Sequence, residues 1–210
     1  MNQNQFIRLE LLSDTSFSRG EGVAGIVDIE VEHDEFGLPF LGGKTLRGLL
    51  RDSWLSMKDC LSALSSAERI FGIDADFEEH SMLRIGDAVV DAETRRWVVA
   101  AKTRSHSFVT PAMVLASLTD IRTQTSENRT TGAPQKETLR SVRVFNRGLV
   151  LQAPLYWQVK PEVPDLYNLS LVLWATRHAG LTRNRGRGHI RLSLVSDLEN
   201  RAAGLQGGVA

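Results

Sequence analysis

An α+β domain is predicted by three features of the 210-residue chain. Short segments carry apolar residues at alternate positions, other segments carry them at helical spacing, and the two kinds are interleaved along the chain. Apolar side chains make up 42% of the residues, enough to fill a core. The length suits a single domain over residues 1–210 with insertions.

The elements read in order as follows. Phe6–Leu12 is a short strand with apolar residues at 6, 9 and 11. Ser13–Gly22 is a Ser- and Gly-containing loop. Val23–His33 reads as a clearer strand, with Val27, Ile29 and Val31 on one face and Asp28, Glu30 and Glu32 on the other. Asp34–Gly43 is a loop. Lys44–Trp54 reads as a helix with Leu46, Leu49, Leu50 and Trp54 on one stripe. Asp59–Ile70 is a second helical stretch. Ser81–Val90 and Arg96–Ala101 read as a pair of strands, so 59–102 is an insertion. Pro111–Leu118 is a short helix. Asp120–Thr125 and Leu139–Phe145 flank a polar, basic stretch and would pair as a long hairpin insertion over 119–147. Leu149–Val159 is a strand, Pro164–Gly180 a helix, and Gly188–Val195 a last strand with Ile190, Leu192 and Leu194 alternating. This order is compatible with a ferredoxin-like core carrying insertions.

Composition narrows the function classes. No apolar run is long enough to cross a membrane as a helix, and Met1–Gln5 lacks the basic start and apolar stretch of a secretory signal. The lone cysteine, Cys60, excludes an internal disulfide or a multi-cysteine zinc site. The expected compartment is the cytoplasm. The net charge is zero, but the charges are segregated. Phe71–Glu93 holds seven acids and one base apart from its histidine; Arg177–Leu192 holds five arginines and no acid; Lys102–Arg147 holds eight bases against three acids. An anionic polymer senses such local patches, because screening removes charges beyond roughly 8–10 Å. Ordinary solvated faces would give the same counts.

Two segments carry chemistry. In Gly37-Leu-Pro-Phe-Leu-Gly-Gly-Lys-Thr-Leu-Arg-Gly-Leu-Leu-Arg51, Gly42 and Gly43 precede a helix whose first N–H groups are free to meet an anion, and Lys44, Thr45, Arg47 and Arg51 follow. Lys44, Arg47 and Arg51 share one face at spacings of three and four. A phosphate chain would suit this site, though read alone the segment is also a glycine turn capping a surface helix. It is not a Walker loop. In Gly180-Leu-Thr-Arg-Asn-Arg-Gly-Arg-Gly-His189, Arg183, Arg185 and Arg187 alternate with Gly186 and Gly188 ahead of a strand, an arrangement that suits phosphates and bases.

Together the two segments resemble the RAMP superfamily of CRISPR–Cas proteins. Members carry the pattern G-x-P-x-(I/L)-x-G-(S/T)-x-(L/I)-(K/R)-G-x-(L/M)-R after an early strand, which Gly37–Arg51 fits closely. They carry a C-terminal glycine-rich loop, matched by Arg183–Gly188, and an (L/I)-F-G element, to which Phe71-Gly72 is similar. The likeness is greatest to the repeated backbone subunit of type III effector complexes. It implies a ferredoxin-like (RRM-like) palm with a protruding thumb hairpin at Thr119–Asn146. The implied partners are crRNA, single-stranded target RNA, further copies of the chain and other effector subunits, without a membrane. The implied activity is endonuclease cleavage of guide-paired target RNA. In that subunit the catalytic aspartate lies a few residues before the glycine-proline element, in a pattern that Gly25-Ile-Val-Asp28, followed by Asp34, resembles. The resemblance assigns the catalytic role, and a divalent ion (Mg2+ or Mn2+), to Asp28. From the alternation alone, Asp28 would be one acid on a solvated strand face. On the thumb, Arg122, Arg129 and Arg143 would contact the duplex or a neighbouring subunit.

Two alternatives stay open. One is a histidine-dependent crRNA-processing endoribonuclease using His33 or His106; the five histidines, 33, 80, 106, 178 and 189, show no close metal-ligand spacing. The other is a non-catalytic scaffold that binds guide RNA only.

Overall fold

The computed structural model describes residues 5–61, 66–72, 81–104, 108–126, 130–133 and 138–195. Its main sheet is built on β1 (Phe6–Leu11), which pairs antiparallel with β6 (Val150–Trp157) on one side and β7 (Ile190–Val195) on the other. β2 (Leu83–Ile85) and β3 (Val89–Val90) share the free edge of β6. The order β2-β6-β1-β7, with α1 (Gly43–Met57) after β1 and α5 (Val163–Ala175) after β6, is the ferredoxin-like palm.

Alternation explains the layers. Ile7, Leu9 and Leu11 are fully buried and stand opposite Leu194, Leu192 and Ile190, while Arg8 and Glu10 face the other way beside Ser193 and Arg191. The apolar face is covered by α1 and α5, which contact each other. α1 offers Leu46, Leu50 and Trp54 to it at four-residue spacing. Trp54 closes the core edge-on against Phe71, with ring centroids 5.6 Å apart. Buried residues from Ile7 to Leu192 form one hydrophobic cluster.

A second, two-stranded sheet pairs β4 (Thr119–Gln124) with β5 (Arg140–Phe145) in register from Thr119–Phe145 to Gln124–Arg140. Both strands lie within the 119–147 segment. The hairpin follows directly on α4 (Pro111–Leu118), which Thr110 caps through its side-chain oxygen.

Four expectations are corrected. Arg96–Ala101 is not a strand but the body of α3 (Ala92–Thr103), because the Asp91 carboxylate accepts from the backbone N–H groups of Glu93 and Thr94 and starts a helix there. Val23–His33 is not a regular strand. Val23 and Val27 close a tight turn on each other, and Ile29, Val31 and His33 make only single bridges. In the Asp59–Ile70 stretch the described residues form a 3-10 turn at Lys58–Cys60 and the short α2 (Ala67–Phe71). Ser81–Val90 is interrupted after Ile85, where the N–H of Gly86 bonds to the Pro154 carbonyl and the edge strand resumes only at Val89.

Candidate nucleic-acid interface

Asp28 lies where the irregular segment meets the hairpin. Its backbone N–H donates to Ser141, as does that of Ile29, and Arg143 N–H returns a bond to Ile29, so this stretch adds a third chain to β5. Asp28 Oδ2 accepts from the Ser141 N–H at 2.7 Å and from the Ser141 hydroxyl at 2.9 Å. Oδ1 makes no hydrogen bond among the described residues. The side chain is exposed. The backbone and hydroxyl bonds from Ser141, with Arg140 nearby, hold the carboxyl below the usual carboxylate range, so it is ionised. The turn Gly22–Val27 folds back to give, with Asp28 and Ser141, an open pocket of 440 Å³. Gly22 is required there: a Cβ would stand 2.4 Å from the Asp28 carbonyl oxygen.

The neighbouring acids do not form a solvated face with Asp28. Glu30 is buried and accepts from Arg143 Nε at 2.7 Å. Glu32 Oε2 accepts from the Gly42 N–H at 3.2 Å. Asp34 accepts from the N–H groups of Phe36 and Leu38 and pairs with Arg95, which shapes the loop before α1. Only Asp28 of this series keeps an exposed carboxylate with one oxygen unengaged.

Arg143 is therefore a correction. With its side chain 11% exposed, and bonded to Glu30 and to the Thr119 hydroxyl, it holds the hairpin to the palm rather than facing a duplex. Arg122 is half exposed and pairs with Asp14 at 2.9 Å and Asp120 at 3.2 Å; the bond to Asp14 raises its pKa further. Arg129 falls outside the described residues, as does His106.

The start of α1 also differs from a free anion cradle. The Gly42 N–H is taken by Glu32, and the Gly43 N–H donates to Asp87 Oδ1 at 2.7 Å. A Cβ on Gly43 would lie 2.2 Å from the Ile85 carbonyl oxygen, so this glycine serves the contact of the helix with the β2–β3 edge. Lys44 and Thr45 are exposed beyond it, and Arg47 donates to the carbonyl of Phe71, the first residue of the Phe-Gly pair.

The arginine–glycine loop sits at the opposite edge of the sheet, ahead of β7. Three strand spacings separate the two edges, about 14 Å. Arg183, Asn184, Gly186 and Arg187 line an open pocket of 630 Å³ together with Ser13, His178 and His189. Arg185 is exposed beside it, and Gly188 is held by its N–H bond to the Asp14 carbonyl. Asp14 thus joins the two basic elements, through Arg122 of the hairpin and Gly188 of the loop. Asp28 is not in this pocket. Thr15 bridges Phe145 and Ser16 bridges Leu181, so the path from Asp28 to the loop runs the length of β5, about 13 Å from Ser141 to Phe145.

No sequence pattern pointed to Ser141, Gly22 or Asp14, whose roles depend on the folded path of the chain. The signal for His178 and His189 was available, since the two flank a glycine-bounded loop. His33 is tied by its ring Nδ1 to the Asp34 carbonyl at 3.1 Å. Among the described residues no group of three or more His, Cys, Asp or Glu is placed to hold a metal ion, and no helix is long and apolar enough to cross a membrane.

A family profile described as the RAMP superfamily matches residues 8–191. Comparison with curated proteins finds no match. Among solved structures, a chain in the cryo-EM structure of the Type III-B Cmr-beta bound to cognate target RNA is similar with a TM-score of 0.63 at 12% identity, covering 90% of this chain and 96% of that one. A chain of the apo-state Type III-B Cmr-beta structure is similar with a TM-score of 0.65 at 12% identity, covering 93% of this chain and 98% of that one.

Proposed function

The chain belongs to the RAMP superfamily, and we propose that it is a crRNA-binding backbone subunit of a type III CRISPR effector complex that cleaves guide-paired target RNA at Asp28. The observation that carries this reading is the Asp28 carboxylate itself. It is exposed beside Ser141, next to the outermost pair of the β4–β5 ladder, ionised, and anchored by one oxygen to Ser141. The shared fold with chains of a complex solved with target RNA supports the setting. Guide RNA would lie on Lys44, Thr45 and the loop residues Arg183, Arg185 and Arg187, held by contacts blind to sequence, with specificity left to base pairing. Other effector subunits and further copies of the chain would complete the particle.

RNA carries its own nucleophile. When a nucleotide is splayed so that its 2′-OH oxygen stands in line with the adjacent phosphorus, most of the catalysis is positioning. The 2′ oxygen bonds to phosphorus and gives its proton to water, the bond from phosphorus to the 5′ oxygen of the next nucleotide breaks, and that oxygen takes a proton from water. The products are a 2′,3′-cyclic phosphate and a 5′-hydroxyl. A carboxylate held below its usual range is a weak base, because an efficient general base has a pKa near the working pH. Asp28 therefore acts by orientation and charge rather than by storing the proton. Its unengaged Oδ1 would give Mg2+ or Mn2+ a single-oxygen ligand, with RNA and water oxygens supplying the rest, since no group of three or more His, Cys, Asp or Glu among the described residues could hold the ion. Such an ion supplies charge neutralisation at the phosphate.

The test is cleavage by the assembled complex. Asp28→Ala is expected to assemble and bind complementary RNA normally but not to cut it. A variant that fails to assemble assigns Asp28 a structural role. Wild-type complex that binds and never cuts supports the scaffold reading instead. Cutting that survives chelator and is lost in one His→Ala variant supports the histidine-dependent reading.

A further inference from the structure

The arginine–glycine loop is closed by a short ladder. The Ala179 N–H bonds to the Gly188 carbonyl and the Ile190 N–H to the Arg177 carbonyl, both at 2.9 Å. His178 and His189 are therefore directly opposite each other as a non-hydrogen-bonded antiparallel pair, the arrangement that brings side chains closest. Their rings stack, with centroids 5.3 Å apart and planes 20° from parallel. Gly188 makes this closure possible, with φ of 73° and room for no Cβ, which would stand 2.2 Å from the Ala179 carbonyl oxygen. Thr182, a β-branched residue, is held at φ of 56°, a conformation that costs energy and that the loop nevertheless keeps.

Around this platform the pocket is lined by two arginines, two histidines, a serine, an asparagine and a glycine, with no carboxylate. Arg187 Nη1 is buried and has no hydrogen-bond partner among the described residues. A buried guanidinium N–H without an acceptor is costly, and an anionic group in the pocket would satisfy it. The volume of 630 Å³ exceeds what a phosphate alone fills and is ordinary for a small organic ligand. A metal ion is disfavoured, because two guanidinium groups surround the imidazoles.

We propose that this pocket takes one unpaired ribonucleotide, its base stacked on the His178–His189 pair and its phosphate on Arg183 and Arg187. The inference rests on the reading that the loop meets RNA, and adds to it a base-contacting subsite. Stacking platforms accept any base, so the site selects for an unpaired nucleotide rather than for a sequence. Asn184, exposed on the rim, is the one side-chain amide there that is able to contact a base edge.

The experiment is fluorescence anisotropy of the full chain with a labelled single-stranded oligoribonucleotide, the same backbone without bases, and an RNA duplex. His178→Ala and His189→Ala are expected to weaken single-strand binding about tenfold, leave the other two probes unchanged, and keep the salt slope. His189→Phe, which retains a stacking face, is expected to restore binding. Arg187→Ala is expected to lower the salt slope by about 0.7 for all single strands. Equal loss on the base-free backbone, or no loss in either alanine variant with thermal unfolding unchanged, overturns the base subsite while leaving the RNA-binding reading intact. A wild-type chain that binds none of the three probes overturns both.

Discussion

Ser141 donates both its N–H and its hydroxyl to the same oxygen of Asp28, at 2.7 and 2.9 Å, so the orientation of the Asp28 side chain is set by the hairpin. The hairpin in turn is tied to the palm by Arg143 and Glu30, two residues along each chain. Any movement of β5 moves the carboxylate with it.

The first prediction concerns acidity. The folded-state pKa of Asp28 is below its ordinary 3.8. Its stabilising contribution is thus fully present above that unfolded value and lost as the pH falls through the lowered folded value. A carbon-13 NMR titration of the side chain is expected to give a midpoint below 3.8, and Ser141→Ala is expected to raise it while keeping the backbone bond. An identical midpoint in the variant contradicts the anchoring role.

Removal of either partner of the Arg143–Glu30 pair is expected to cost about 3 kcal/mol, because a buried charge is left uncompensated. For a chain of this size that lowers the melting temperature by roughly 6–12 °C. Replacing both by methionine is expected to recover most of the loss. Arg185→Ala, at an exposed position, is expected to leave the melting temperature within about 2 °C and to weaken RNA binding instead.

Two glycines five positions apart are expected to respond in opposite directions. Gly43→Ala is expected to destabilise by about 1–3 kcal/mol, since the new methyl meets the Ile85 carbonyl. Gly48→Ala, within α1 with nothing in 4 Å of its Cβ position, is expected to stabilise by about 0.5–1 kcal/mol. Denaturant midpoints of the two variants check both signs.

Metal dependence is expected to appear only with RNA present. Chelator stops cutting by the assembled complex without releasing target, and Mn2+ restores it. The chain alone shows no saturable Mg2+ or Mn2+ binding by calorimetry, since one carboxylate oxygen makes a weak site. Tight binding in the absence of RNA would contradict a ligand set completed by the nucleic acid.

Periodicity identified β1, α1, β6, α5 and β7, because each buries one regular face against the same core. It failed where the deciding contact was local chemistry of another kind. The Trp97–Val99 run looks extended, but the Asp91 cap and the alanines around it make a helix. The Val27–Glu32 alternation looks like a half-solvated strand, but Arg143, 113 residues from Glu30, buries that acid and breaks the pattern.

The candidate site divides the same way. The order of residues determined the palm, the arginine-rich loop and the motif that marks Asp28, since these rest on spacing along one segment. Only the folded chain decided which charges stay exposed. It spent Arg143, Glu32 and Asp34 on internal bonds, placed the loop and the start of α1 on opposite sheet edges, and stacked two histidines that the sequence separates by a loop. Hydrogen bonding and burial between distant segments make those choices, and no local pattern encodes them.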